Sequence, residues 1–152
     1  MEPSDESFWS TEPKLFASLP GALAILDWFG FMPSFHDAKL AGIDIGLDTA
    51  TIKIDAFRMT SNVDERGYFI LDRHARVTIV VGKVSGLILK GEAQSIIAQL
   101  NIRRISEDRS GFDTCAGPRA GDFEIRLETS HGLEGSIFGE ELFLSLAPAC
   151  DP

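Results

Sequence analysis

The sequence contains few cysteines and no long apolar run, and each absence excludes a class of protein. Two cysteines, Cys115 and Cys150, are too few for the disulfide framework of a small secreted domain. Neither stands at a metal-ligand spacing from a histidine, so we predict two free thiols, with a single disulfide as the alternative, and no metal site. No stretch approaches the ~18 apolar residues of a membrane-spanning helix, and the N-terminal stretch is acidic where a secretory signal would be basic and apolar. These features predict a cytoplasmic protein that does not bind a membrane.

Basic residues are also scarce. Fourteen Lys and Arg residues against 23 Asp and Glu residues give a formal net charge of −9. Because proteins bind nucleic acid largely through basic contacts to phosphate, this balance argues against a nucleic-acid binder. An acidic surface suits a basic partner protein, although it also serves simply to keep a protein soluble.

A chain of 152 residues with ordinary apolar and charged content is typical of one globular domain. We therefore assign residues 1–152 to a single domain. Residues 1–12 are polar and acidic apart from Phe8 and Trp9. We expect them to form a loose N-terminal arm whose two rings can dock on the body of the domain.

The sequence motifs of common enzymes are missing. There is no Gly-rich phosphate loop, no Gly-x-Ser-x-Gly nucleophile elbow and no His-Glu-x-x-His metal motif. The acidic residues show no calcium-loop spacing, and the three histidines, His36, His74 and His131, lie in separate regions. We predict a non-enzymatic protein that needs no cofactor.

Two stretches have the apolar spacing of a helix. Residues 22–29 follow a Pro-Gly pair, and Gly30 suits the left-handed position just past the helix end. Residues 92–100 carry apolar side chains three and four positions apart and predict the second helix. The stretch after Pro13 allows one or two further helical turns.

Most of the remaining chain alternates between apolar and polar residues, which is typical of half-buried strands. We expect a break near residues 72–74, a tight connection at Gly82–Lys83 and a bulge or turn at Gly139. Short connections between strands favour antiparallel pairing. The sequence therefore predicts an α+β fold: a twisted antiparallel sheet, two packed sheets or a half-barrel, with two helices. The predicted strands are residues 39–47, 52–57, 76–82, 84–90, 102–106, 123–129, 133–138 and 142–146.

The segment that contains Ser34, His36 and Asp37 is the first candidate binding site. An aspartate beside a histidine can orient an imidazole, and a serine lies nearby. Adjacent residues in an extended segment point to opposite sides, so this spacing does not by itself build a catalytic pair. We favour an architectural role, in which Ser34 or Asp37 hydrogen-bonds the turn after Pro33 and His36 fills a buried polar position.

The second candidate binding site is the start of a long glycine-containing loop, residues 107–121. Glu107 and Asp108 lie there, and loops can vary without disturbing the core. We expect acids on loops to contact a basic partner. The other candidates of this kind are Asp64, Glu65, Glu140 and Glu141.

Part of the sequence resembles a known family. Residues 28–38, Trp-Phe-Gly-Phe-Met-Pro-Ser-Phe-His-Asp-Ala, resemble the opening motif of the bacterial immunity protein 50 family, in which a short helix ends in a Gly–aromatic–Pro-Ser-Phe-His-Asp segment before the first strand. Residues 84–100 are similar to a strand–helix segment of that family. Residues 130–136 fit its Tyr-Gly-Leu-x-Gly pattern loosely, with His131 in place of the aromatic residue. The resemblance spans most of residues 22–146.

The resemblance implies a protein that binds and neutralises a cognate toxin without a cofactor. The acidic composition agrees, because acidic surfaces steer association with basic proteins such as nuclease toxins. Two alternatives stay open at this point. One is a small-ligand-binding protein or enzyme built around Ser34, His36 and Asp37, and the other is a module with no ligand of its own.

Overall fold

A computed structural model describes residues 9–91, 96–108, 117–130 and 132–149. Within these ranges the chain forms two short helices followed by six strands, and all neighbouring strands pair antiparallel in the order β1-β2-β3-β6-β5-β4. The predicted α+β fold with a twisted antiparallel sheet is confirmed. The elements are α1 Pro13–Ser18, α2 Ala22–Phe29, β1 Lys39–Ile45, β2 Thr49–Val63, β3 Phe69–Lys90, β4 Ile97–Arg104, β5 Phe123–Thr129 and β6 Glu134–Pro148.

Helix α2 has the bounds that its local sequence predicts. Gly30 ends the helix with φ 84°, and its N–H donates to the carbonyl of Leu26 at 2.8 Å. Gly21 begins it with φ 88°, a conformation that favours glycine. Helix α1 occupies the stretch for which one or two turns were expected.

The sheet is open, but its two edge strands meet at one corner. Asp37 donates its backbone N–H to the carbonyl of Ile97 at 2.9 Å, and Ile97 donates back to Ala38 at 2.9 Å. A single bridge between Lys39 and Ile96 extends this contact. Strand β1 therefore starts beside the start of β4, at the opposite edge of the sheet.

Both helices pack on one face of this sheet and form the core with it. Their buried side chains are Phe16 from α1 and Ala22, Ile25 and Phe29 from α2. Alternate strand residues complete the core, as the period of two predicts. They include Ile52, Ile54, Val77, Ile79, Val81, Ile102, Ile125, Leu127, Ile137, Leu142 and Leu144.

The helix predicted for residues 92–100 is wrong where the structure describes it. Residues 92–95 lie outside the described residues, and β4 begins at Ile97. A β-bulge between Ile97 and Gln99 places one extra residue in this strand. Ile97 and Leu100 therefore both point into the core although they are three positions apart. That spacing imitates the period of a helix.

Strand β3 is longer than predicted and has no turn inside it. The expected break at residues 72–74 is a bulge, in which Arg73 has φ 53° and the strand continues. The expected connection at Gly82–Lys83 is wrong, because Lys83 bends the strand at φ 52° and the chain goes on to Lys90 beside β6. The irregularity expected at Gly139 of β6 is a bulge in the neighbouring strand β3, between Val84 and Gly86, where Val84 pairs with Gly139.

Several predictions fall partly or wholly outside the described residues. These concern Phe8, Cys115, His131, Cys150 and residues 109–116 of the long loop. Trp9 and Thr11, from the predicted N-terminal arm, lie against β4. The Arg103 guanidinium stacks on the Trp9 ring at 4.3 Å, and Ile102 N–H donates to Thr11 Oγ1 at 2.8 Å. Among the described helices, none is long and apolar enough to cross a bilayer.

One part of the sheet projects beyond the rest. Strand β1 pairs with β2 only as far as Asp55, and β6 pairs with β3 only as far as Ala75. Beyond these points, among the described residues, β2 and β3 form strand pairs only with each other, and one further hydrogen bond runs from the Ala149 N–H to the His74 carbonyl. We call residues 57–74 the hairpin extension.

Candidate binding groove beside His36

The segment that joins α2 to β1 turns sharply at two left-handed residues. Phe35 has φ 62° and Asp37 has φ 69°. Ala38 N–H donates to the carbonyl of Phe35 at 3.0 Å, which closes a tight turn around His36. The aspartate suits its position, because Asp and Asn tolerate the left-handed conformation better than other residues with a side chain.

The three predicted site residues lie together in this turn. Ser34 Oγ accepts a hydrogen bond from the backbone N–H of His36 at 3.3 Å, as the architectural hypothesis expects of Ser34. His36 Nδ1 lies 2.8 Å from the carbonyl oxygen of Ala98 in β4, to which it donates in the Nδ1–H tautomer. His36 Nε2 lies 3.5 Å from Asp37 Oδ1.

His36 does not fill a buried position, which corrects one part of that hypothesis. Its side chain is 64% exposed, and that of Asp37 is 53% exposed. The turn is held by the backbone of Asp37 and by Ser34, so the Asp37 carboxylate faces solvent beside the imidazole. Ser34 Oγ makes no hydrogen bond to the imidazole ring, so the three side chains do not form a linked nucleophile–base arrangement in this structure.

A groove of about 240 Å³ separates this turn from the base of the hairpin extension. Phe31, Pro33 and residues 34–38 form one wall, and Ala56, Phe57 and Met59 form the other. Phe31 and Met59 are both half-exposed. The groove is therefore mainly apolar, and its polar lining residues are Ser34, His36 and Asp37.

Trp28 and Arg73 hold the two walls together. Trp28 Nε1 donates to the carbonyl of Arg73 at 2.8 Å, and Arg73 Nε donates to the carbonyl of Trp28 at 2.9 Å. The Arg73 guanidinium also lies 3.9 Å from the centre of the Trp28 ring. These contacts of Trp28 tie α2 to the hairpin extension.

A pair of opposite charges stabilises the hairpin extension itself. Arg58 makes two hydrogen bonds to Asp72 across the strands, at 2.9 and 2.8 Å. The hydrogen bonds from Arg58 hold the pKa of Asp72 below its usual value, and they raise the pKa of Arg58. The groove wall formed by Phe57 and Met59 is therefore held by two sets of contacts. Arg73 binds Trp28 of α2, and Arg58 binds Asp72 across the hairpin extension.

The chain matches no known protein family, no curated protein and no solved structure. Among the residues that the structure describes, no three His, Cys, Asp or Glu side chains lie close enough together to hold a metal ion.

The structure does not bring Glu107 and Asp108 to the groove. They follow the end of β4 at Arg104, whereas the groove adjoins its start at Ile97. Asp108 Oδ1 accepts a hydrogen bond from the backbone N–H of Ala120 at 3.0 Å, which closes the base of the long loop.

Two of the other candidate acids have hydrogen-bond or ion-pair partners within the protein. Asp64 Oδ1 accepts hydrogen bonds from the N–H groups of Arg66 and Tyr68 in the turn of the hairpin extension. Glu141 lies 3.7 Å from the Lys83 ammonium. Asp64 and Glu141 therefore already have partners within the protein.

Sequence reasoning missed the groove wall on β2. The outward positions of this strand read Lys53, Asp55, Phe57 and Met59, so the solvent-facing side changes from charged to apolar. That change is visible in the sequence once the strand is extended beyond residue 57. The sequence does not show that Phe57 and Met59 lie opposite the His36 turn, because the two segments are about twenty positions apart in the chain.

Proposed function

We propose that this chain is a non-enzymatic binding protein that neutralises a basic toxin protein by direct contact, with the groove beside His36 at the centre of the contact surface. The observation that carries the proposal is the pairing of two half-exposed apolar side chains, Phe31 and Met59, with the exposed carboxylate of Asp37. Strong protein contacts usually combine a core of apolar anchors, rich in aromatic residues and Met, with a polar rim, and Asp37 would belong to that rim.

The shape of the groove favours a protein partner over a small molecule. Small-ligand pockets usually enclose about 300–1,000 Å³ and bury most of the ligand. This groove holds about 240 Å³ and is open to solvent. It therefore suits one or two side chains that project from a larger partner surface.

The groove is also held in place before any partner arrives. The Trp28–Arg73 contacts fix one wall to α2, and the His36–Ala98 and Asp37–Ile97 contacts fix the turn to β4. A surface that needs little ordering loses less conformational entropy on binding. This rigidity supports a binding role for a segment that is also architectural.

The charge of the chain supports a basic partner. A net charge of −9 attracts cationic proteins over distances of several ångströms and accelerates their association. Apolar anchors such as Phe31 then set the rate of dissociation.

The proposal expects a toxin-like protein to be encoded directly upstream of the gene for this chain, and that protein is the partner with which binding is tested. The dissociation constant of the purified pair is measured for the wild-type chain and for Phe31→Ala. We expect Phe31→Ala to weaken binding about tenfold or more, the range found for a well-packed aromatic anchor.

Leu23→Ala is the matched control. Leu23 is also a large exposed apolar residue, but it lies on α2 and does not line the groove. Its replacement is expected to leave the dissociation constant unchanged. Equal affinities for wild type and Phe31→Ala would contradict the proposed site, and an absence of any binding would contradict the proposed function.

A further inference from the structure

The outer face of the sheet changes character where the hairpin extension begins. In the body of the sheet this face carries ion pairs across the strands, such as Asp44 with Lys53 and Asp55 with Arg76. Two residues further along β2, the outward position is Phe57, which lies beside His74 of β3 with ring centres 6.1 Å apart. From there outward the face is apolar.

Four half-exposed apolar side chains share this face of the hairpin extension. Met59 lies opposite Leu71, and Val63 lies opposite Phe69. Their side chains are between 39% and 54% exposed. Arg58 and Asp72 lie on the other face, which continues the core face of the sheet through Ala56 and Ala75. The four apolar side chains therefore take no part in the core.

A two-stranded hairpin is at most marginally stable in water by itself. Two paired strands need a further strand or a packed surface to hold them, and exposed apolar patches mark places where such a surface binds. The structure shows how the hairpin extension is tied at its base, by Trp28 and Arg73. Among the described residues, the two helices pack on the opposite face of the sheet, so they do not cover the four apolar side chains.

The edges of the hairpin extension are unsuitable for adding a strand. Residues 60–62 of β2 lie opposite the single residue Ile70, and Arg73 bulges out of β3. Bulges interrupt the row of free N–H and C=O groups that a new strand needs. The covering surface must therefore pack on the apolar face.

The charge of the hairpin extension identifies the partner surface. Residues 57–74 contain three arginines and three acidic residues, so this stretch has no formal net charge in a chain of net charge −9. A basic partner gains little attraction here. In a twofold dimer each surface faces itself, and a neutral surface avoids the repulsion that the acidic remainder of the chain would cause.

We propose that the apolar face of the hairpin extension binds a second copy of this chain. The two extensions pack face to face, about 10 Å apart, and enclose Met59, Val63, Phe69 and Leu71 of both copies between them. The face is only a few residues long, so the interface is smaller than the ~800 Å² per partner of a stable complex. We therefore expect a dimer that forms reversibly as the concentration rises. This inference is argued without the proposed toxin binding, but both surfaces include Met59, so a second copy and a toxin compete for that side chain.

Sedimentation velocity of the full chain over a wide range of concentration tests the proposal. The double variant Phe69→Thr/Leu71→Thr replaces two of the four side chains with residues that favour strands. Ile70→Thr is the matched control, because Ile70 is 43% exposed on the same strand but points to the opposite face. Circular dichroism and a thermal melt of each variant confirm that it is folded.

The proposal expects wild type and Ile70→Thr to dimerise with the same dissociation constant, and the double variant to stay monomeric at every concentration. High salt should leave the dimer intact, since the interface is neutral and apolar. A wild-type chain that is monomeric throughout overturns the proposal. So does a dimer that the double variant leaves unchanged, or one that Ile70→Thr weakens equally. If the chain is monomeric and the double variant instead loses affinity for the toxin-like protein, the face binds that partner and not a second copy.

Discussion

His36 Nδ1 lies 2.8 Å from the carbonyl oxygen of Ala98, a residue 62 positions further along the chain. With the backbone bonds that Ile97 makes to Asp37 and Ala38, this contact joins the two edges of an open sheet at one corner. The segment of Ser34, His36 and Asp37 is thus a tertiary connection as well as a groove wall. Such a connection covers edge groups of β4 that would otherwise be free to pair with another chain.

Gly21 is expected to be among the glycines least tolerant of substitution. A Cβ there would lie 1.7 Å from the carbonyl oxygen of Leu144, whose N–H donates to Pro20 at 2.8 Å. Gly21→Ala should therefore push α2 away from β6 and lower the free energy of unfolding by well over the ~1–2 kcal/mol of a left-handed alanine alone. Urea denaturation measures the loss.

Gly30→Ala is the comparison for that experiment. Gly30 has φ 84°, close to the 88° of Gly21, but a Cβ there would meet nothing within 4 Å. Gly30→Ala should lower the free energy of unfolding only by the conformational cost of a left-handed alanine, ~1–2 kcal/mol. Equal losses at the two positions would show that the contact with Leu144 has no energetic weight.

Asp37 is expected to matter through its backbone conformation as well as its charge. Asn tolerates a φ of 69° and Ala does not, so Asp37→Ala should lower the free energy of unfolding by about 1 kcal/mol while Asp37→Asn leaves it nearly unchanged. Both variants remove the carboxylate from the groove. If Asp37→Asn keeps its stability and loses affinity for the basic toxin-like protein, the carboxylate has a binding role that is separate from the turn.

The Arg58–Asp72 pair should make the hairpin extension sensitive to acid. The pKa of Asp72 is lower in the folded protein than the ~3.9 of an unfolded chain, so the pair stabilises the fold above that value. The contribution is lost as the pH falls through the lower, folded pKa. Wild type should therefore be more stable than Asp72→Asn at neutral pH, and the difference should disappear in strong acid.

Urea denaturation of both proteins across this pH range measures the effect. The two side chains are each more than one-third exposed, so we expect a small difference. Glu65→Gln is the control, because it removes an exposed carboxylate of the hairpin turn and leaves the Arg58–Asp72 pair intact. A constant gap between wild type and Asp72→Asn at all pH values would contradict the assigned cause.

Electrostatic attraction should govern how fast the toxin-like protein associates. Glu107→Lys reverses an exposed charge beyond the end of β4 and should slow association at low salt. The effect should fade as salt rises, because the Debye length shrinks from about 10 Å at 0.1 M to about 3 Å at 1 M. Stopped-flow measurements compare it with Glu141→Lys, whose carboxylate already lies near Lys83. An association rate that ignores both salt and Glu107→Lys would remove the electrostatic part of the proposal.

Local signals in the sequence were sufficient for several elements. Helix α2 lies between two glycines that adopt left-handed conformations, and strand β5 has the predicted bounds Phe123–Thr129. In both, the apolar period matches the element that forms, because one face of each is buried. Strand β4 shows where this reasoning fails. Its bulge gives Ile97 and Leu100 a helical spacing, and only pairing with β5 reveals the extra residue.

The sequence by itself determined the fold class, the acidic surface and the segment of Ser34, His36 and Asp37. These depend on composition and on contacts within a few residues. Only the tertiary structure decided that this segment faces Phe57 and Met59, that Glu107 and Asp108 lie elsewhere, and that four apolar side chains share one face of the hairpin extension. Each of these depends on strand register, in particular on β1 pairing with β2 no further than Asp55. The apolar pattern and the turns favour one register, but the bulges that shift it, between Leu40 and Gly42 and between Ala56 and Arg58, become visible only once the strands are paired.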